Sequence, residues 1–186
     1  MTEGPDITPR PLWVFGYGSL LWNPGFPVAE KTLATLHGYA RSFCMSSIHH
    51  RGTVEHPGLV LALDPQQDAS CCGIAFRVPD DDADATVAYL RERELISSAY
   101  VERVLTLTLD DGQKVTALVY VIDTAHEQYV AELTLEDQAQ IISTAVGGRG
   151  PNTEYLWNTA EHLRELGLAD PDLEWLSDRV RQLIAT

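Results

Sequence analysis

A glutamate standing where a core residue belongs, and a glycine-punctuated turn after a short apolar run, are the features of this chain whose residue types can do chemistry. The turn is Trp13-Val14-Phe15-Gly16-Tyr17-Gly18-Ser19-Leu20-Leu21-Trp22. Gly16 and Gly18 let a ligand approach the main chain closely, and Ser19 adds a hydroxyl that donates or accepts. Bare backbone N–H groups in such a turn suit a carboxylate or a developing oxyanion. An ordinary strand-to-loop turn would use the same two glycines. The glutamate is Glu94. On a helix read over residues 82–95, Ala83, Val87, Leu90 and Glu94 fall at spacings of four, three and four, so the acid lies on the apolar stripe. Glu92 points about 200° away around the same helix. Burial against apolar neighbours would raise the pKa of Glu94 and suit it to accept and later return a proton near neutrality. The competing reading is a helix-end glutamate paired with Arg91 or Arg93.

Further polar clusters offer partners for a ligand. Tyr100 follows Ile96-Ser97-Ser98-Ala99 and can stand beside the helix end to orient a ligand or Glu94, or simply pack at the start of a strand. Arg51, in His50-Arg51-Gly52, has the planar fork that takes a carboxylate, although solvated loop charge is equally ordinary. Gly147-Gly148-Arg149-Gly150-Pro151-Asn152-Thr153-Glu154-Tyr155-Leu156 is a glycine turn feeding a helix, with Asn152 as its expected N-cap. His49, His50 and His56 lack regular ligand spacing, so no metal is expected. Cys44, Cys71 and Cys72 are odd in number and show no CxxC pattern. No disulfide framework is expected, and Cys71 and Cys72 are read as small hydrophobes of a buried strand.

The elements that must position these residues follow from periodicity. Strands are expected over residues 13–17, 34–45, 58–64, 72–78, 101–109 and 114–122, the last two joined by the hairpin signal Asp110-Asp111-Gly112-Gln113. Helices are expected over 82–95, 134–146, 152–166 and 170–184, the second opening on Thr134 with Asp137 three residues on. Strands first and helices last argue for an α+β fold with a largely antiparallel, barrel-like sheet and flanking helices. The expected organisation is a flexible N-terminal arm over residues 1–12 and a single domain over 13–186. Thirteen basic against twenty-seven acidic residues leave a formal charge of −14, which opposes nucleic acid and anionic membrane surfaces as partners. Apolar runs are only strand-sized and the first ten residues are polar, so neither a membrane span nor a secretory signal is read, and a cytoplasmic location is expected.

Taken together, these segments resemble the ChaC-type γ-glutamylcyclotransferases. The shared pieces, in order, are Val14-Phe15-Gly16-Tyr17-Gly18-Ser19-Leu20 with Trp22, His50-Arg51-Gly52, Pro57-Gly58, Arg93-Glu94 before Tyr100, and Asn152-Thr153-Glu154-Tyr155-Leu156. The resemblance implies a small barrel with flanking helices. It also implies conversion of glutathione to 5-oxoproline and cysteinylglycine, with no metal or organic cofactor. By position it places the substrate loop on Val14, Phe15, Gly16, Tyr17, Gly18, Ser19 and Leu20, the essential acid on Glu94, and a substrate-proximal tyrosine on Tyr155. The chain departs from many relatives in the longer spacer between Glu94 and Tyr100, and in Leu59 where a basic residue is common. Other γ-glutamyl amines as substrates, or a non-catalytic γ-glutamyl sensor using Cys71 and Cys72, are the alternatives.

Overall fold

The computed structural model describes residues 8–95 and 98–186; residues 1–7 of the expected arm, and Ile96 and Ser97 of the segment leading to Tyr100, lie outside them. Seven strands are described: β1 (Trp13–Gly16), β2 (Glu30–Ser47), β3 (Gly58–Arg77), β4 (Tyr100–Leu109), β5 (Lys114–Ile122), β6 (Val146–Gly147) and β7 (Gly150–Pro151). The α-helices are α1 (Ala83–Glu94), α2 (Leu135–Thr144), α3 (Asn152–Glu165) and α4 (Pro171–Ala185), with 3-10 turns at Ser19–Leu21 and Asp80–Asp82.

Two compact units share the chain. The first comprises the residues up to Ala40 together with Asp64–Asp123. It carries β1, β4, β5 and parts of β2 and β3, which close a barrel in the order β1-β3-β2-β4-β5. β1 pairs antiparallel with β3, Val14 opposite Phe76, and meets β5 in parallel at Leu118. β4 and β5 form the expected hairpin, with Glu102 opposite Tyr120. α1 buries Ala83, Val87 and Leu90 in one cluster with Leu12, Val14, Leu20, Leu118 and Tyr120. Burial of a leucine such as Leu90 contributes about 1.5–3 kcal/mol.

The second unit comprises Arg41–Leu63 and Thr124–Thr186. Ile142 of α2, Leu156 and Leu163 of α3, and Leu173, Leu176 and Val180 of α4 are buried in it. α2 begins in a reciprocal capping box, the Thr134 hydroxyl accepting from the Asp137 N–H while the Asp137 carboxylate accepts from the Thr134 N–H. Asp170 caps α4 by accepting from Asp172 and Leu173. We retain residues 13–186 as one domain as a proposal, since β2 and β3 are unbroken strands that contribute to both units.

Three local expectations are corrected. The strands expected over 58–64 and 72–78 are one strand, β3, whose middle from Pro65 to Asp68 is exposed and polar. Backbone pairing carries it through a stretch that has no apolar signal. Asn152 is not an N-cap; Pro151 occupies that position, and the Asn152 amide is used elsewhere. Cys71 is buried but Cys72 is exposed, because successive strand residues point to opposite faces.

Candidate active site

The glycine turn leaves β1 with most of its side chains committed to the core. Leu12, Val14 and Phe15 are fully buried, and Tyr17 and Leu20 nearly so, which leaves the main chain from Gly16 to Leu20 to meet a ligand. Gly16 is required by packing: a Cβ there would stand 2.8 Å from the Phe76 ring. Gly18 is different, because a Cβ there would meet no described atom within 4 Å. The space beside Gly18 is open, and a 3-10 turn starts immediately after it with Leu21 donating to the Gly18 carbonyl at 2.9 Å. The N–H groups of Ser19 and Leu20, at the head of that turn, have no acceptor within it. Replacing Gly18 with valine should therefore put a side chain into this open space and raise KM for a ligand held by these amides about tenfold or more, a loss of about 1.4 kcal/mol in binding. Steady-state kinetics with a thermal melt checks this, and an unchanged KM would remove the turn from the site.

Glu94 ends α1 on the buried stripe, as the spacing predicts, while Glu92 is exposed. Its side chain retains 17% of its exposure, and burial pushes its pKa up, opposed by the adjacent Arg93 guanidinium. Both sequence readings thus hold at once, since Arg93 Nε lies 3.3 Å from the Glu94 carboxylate. The rest of the Arg93 fork reaches the turn. Nη2 donates to Ser19 Oγ at 3.1 Å, and Nη1 donates to the Asn23 carbonyl at 2.8 Å, the Pro24 carbonyl at 3.2 Å and the Tyr89 hydroxyl at 3.1 Å. One guanidinium therefore joins the candidate base to the candidate anion loop. Tyr100 opens β4 and packs, half-buried, against the cluster containing Leu90.

Arg51 and Tyr155 belong to the second unit and are brought together there. The Arg51 guanidinium lies 5.7 Å from the Tyr155 ring centroid, and its Nη1 donates to the Pro151 carbonyl at 3.2 Å. Tyr155 is fixed in turn by the Phe43 ring, edge-on at 6.0 Å, and by the Leu61 N–H, which donates to its hydroxyl at 3.2 Å. Asn152, fully buried, accepts from the Leu59 N–H at 2.8 Å and donates to the Leu59 carbonyl at 2.9 Å, mimicking a neighbouring strand. Leu59 therefore contributes its backbone to the unit while its side chain is core. Burial, then Arg149, His49 and Arg51, hold the His50 pKa down. Among the described residues no group of His, Cys, Asp and Glu is placed to hold a metal ion.

Sequence reasoning did not assign Arg93 a part in the site beyond pairing with Glu94. The available signal was its place beside the acid at the end of the helix, with five donors on a rigid fork and few local acceptors. Besides Tyr89, one helical turn before it, and the adjacent Glu94, its acceptors are the Asn23 and Pro24 carbonyls and the Ser19 hydroxyl some seventy residues earlier, which no local spacing reveals.

The chain matches the family model described as ChaC-like protein over residues 12–183. It is 36% identical over 175 residues to the glutathione-specific γ-glutamylcyclotransferase of Escherichia coli (strain K12), covering 94% of this chain and 75% of that protein. A glutathione-specific γ-glutamylcyclotransferase of Schizosaccharomyces pombe is 36% identical over 179 residues, with 87% of each chain covered. Among solved structures, a γ-glutamyl cyclotransferase specific to glutathione from yeast has the same fold, with a TM-score of 0.80 at 24% identity over 93% of this chain and 99% of that one. With its barrel, its helices and nearly its whole length accounted for by these matches, the chain belongs to the ChaC-like family.

Proposed function

We propose that this protein is a glutathione-specific γ-glutamylcyclotransferase that releases 5-oxoproline and cysteinylglycine. The observation that carries the reading is Glu94, a largely buried carboxyl with a raised pKa, tied through Arg93 to the turn at Ser19. The substrate supplies both reacting groups. Its α-ammonium loses a proton to Glu94, and the amine nitrogen attacks the γ-carbonyl carbon to close a five-membered ring. The γ-amide C–N bond then breaks as the departing nitrogen takes that proton from Glu94, and the second proton, which the ring nitrogen loses on becoming a lactam N–H, passes through the freed Glu94 carboxylate to the departing amine, which leaves as an ammonium. No covalent bond to the protein forms. Folding the γ-glutamyl chain onto itself supplies much of the rate, since well-oriented intramolecular attack reaches effective molarities on the order of 10⁵ M or more.

The main chain of the turn at Val14, Phe15, Gly16, Tyr17, Gly18, Ser19 and Leu20 is the proposed γ-glutamyl holder. The Ser19 and Leu20 amides at the head of its 3-10 turn stabilise the carboxylate or developing oxyanion by roughly 3 kcal/mol per well-placed donor. Tyr100 is proposed to orient the ligand or Glu94. In the second unit, Arg51 is proposed as a carboxylate ligand and Tyr155 as the ring that fixes its guanidinium. The proposal needs no metal or organic cofactor. It places the enzyme in the cytoplasm with a small-molecule partner, and the charge of −14 argues against nucleic acid or anionic membranes as partners. No described helix is long and apolar enough to cross a membrane.

Incubation with glutathione should yield 5-oxoproline and cysteinylglycine in equal amounts. Absence of 5-oxoproline overturns the reading. Faster turnover of γ-glutamyl-alanine or γ-glutamyl-lysine derivatives would instead move the assignment to other γ-glutamyl amines.

A further inference from the structure

A polar chain that the reaction above does not use runs from the buried Tyr120 through Glu102 to the half-exposed Arg91 of α1. Tyr120 of β5 is 2% exposed, and every other buried residue of its cluster is apolar. Its hydroxyl donates to Glu102 Oε2 at 2.9 Å, across the register position where the two residues face each other. Arg91 of α1 grips the same carboxylate with both arms, Nε to Oε2 at 3.1 Å and Nη2 to Oε1 at 3.0 Å. Arg91 stands one turn before Glu94, and Leu90 and Leu95, on either side of that turn, pack on the cluster that contains Tyr120. Burying a phenol and a carboxylate here costs desolvation that an apolar trio of similar volume would avoid.

We propose that Tyr120, acting through Glu102 and Arg91, is a positioning residue for Glu94. The inference rests on the cyclotransferase reading. The chain clamps the last turn of α1 onto β4 and β5, so that Glu94 keeps a fixed, weakly hydrated place. The Tyr120 phenol in turn feels Glu94: burial first, then Glu102 and Glu94, discourage it from ionising. With its proton committed to Glu102, the phenol remains a neutral strut. Of the charged and titratable groups, Arg93 of α1 lies 3.3 Å from Glu94 and Tyr120 of β5 is within its electrostatic reach, while Arg91, Glu102 and Tyr100 belong to the chain and cluster described above and Ser19 of the turn meets the Arg93 fork.

The test is the variant Tyr120→Phe, with Glu102→Gln as its companion and the double variant to close the cycle. Tyr120→Phe keeps the ring in the cluster. It should lower kcat on glutathione about tenfold with KM within about twofold, and it should move the acid limb of the pH–rate profile to lower pH as Glu94 gains water. Glu102→Gln should move the same limb the same way, because it leaves the Arg91 charge uncompensated near Glu94. The double variant should cost little more than either single one, as residues acting in one chain do. A lowered melting temperature with an unmoved acid limb and unchanged kcat would show a purely structural role and overturn the inference, as would full additivity. Wild-type protein in the same assay separates the two levels. If it forms no 5-oxoproline, the cyclotransferase reading fails; if it does and Tyr120→Phe matches it, only the positioning role fails.

Discussion

Glu94→Gln is expected to lose 5-oxoproline release by roughly 10²–10⁴-fold, the range a positioned acid–base group contributes. Glutamine fills the same space at the end of α1 and can still sit beside Arg93, so the barrel and the turn persist. It cannot take the α-ammonium proton, and the nucleophile stays protonated. KM for glutathione should change little, because the turn amides rather than Glu94 are proposed to hold the ligand. In wild type the acid limb of kcat/KM should lie above the ordinary carboxylate range, since burial pushes Glu94 up. The same shift has a stability consequence of definite sign. The folded protein holds the Glu94 proton more tightly than the unfolded chain, so stability falls as pH rises from the ordinary carboxylate value through the raised one. Glu94→Gln escapes that loss, and its melting temperature at neutral pH should equal or exceed that of wild type, the difference vanishing below the ordinary carboxylate value. Near wild-type turnover by this variant would sink the assignment of the base.

Glu94 was legible because helical periodicity places it among Ala83, Val87 and Leu90, and burial follows from that stripe. The hairpin of β4 and β5 and the capped start of α2 were legible for the same reason: each is fixed by residues within a few positions of one another. What escaped depends on distant partners. β3 runs through an exposed polar stretch because its ladder is made by backbone groups, to which side-chain patterning is blind. Asn152 has the residue type of a cap, yet its amide is consumed by Leu59, ninety-three residues earlier. Gly16 and Gly18 read alike in the sequence, and only packing separates a glycine pressed on Phe76 from one facing open space.

Arg93 is the least legible part of the site, and its removal is the second large expected effect. Its guanidinium is mostly buried, with 21% of its side chain exposed, and holds Ser19, Asn23, Pro24, Tyr89 and Glu94 at once. A lysine offers one nitrogen and cannot span these positions. Arg93→Lys should therefore lower kcat/KM for glutathione about 10- to 100-fold, the scale of a misplacement of about 1 Å between base and bound substrate. Arg93→Ala should cost at least as much and also leave the Asn23 and Pro24 carbonyls without this donor, lowering the melting temperature. The pH dependence separates loss of position from loss of charge. The Arg93 cation opposes the upward shift of Glu94, so deleting it raises the Glu94 pKa further and moves the acid limb to higher pH. Arg93→Lys, which keeps the charge, should leave the limb close to wild type while still losing rate. This displacement is opposite in sign to the one expected for Tyr120→Phe. A wild-type rate in Arg93→Lys would show that the bonds to the turn are dispensable. An acid limb that stays in place in Arg93→Ala would show that Arg93 does not tune the base.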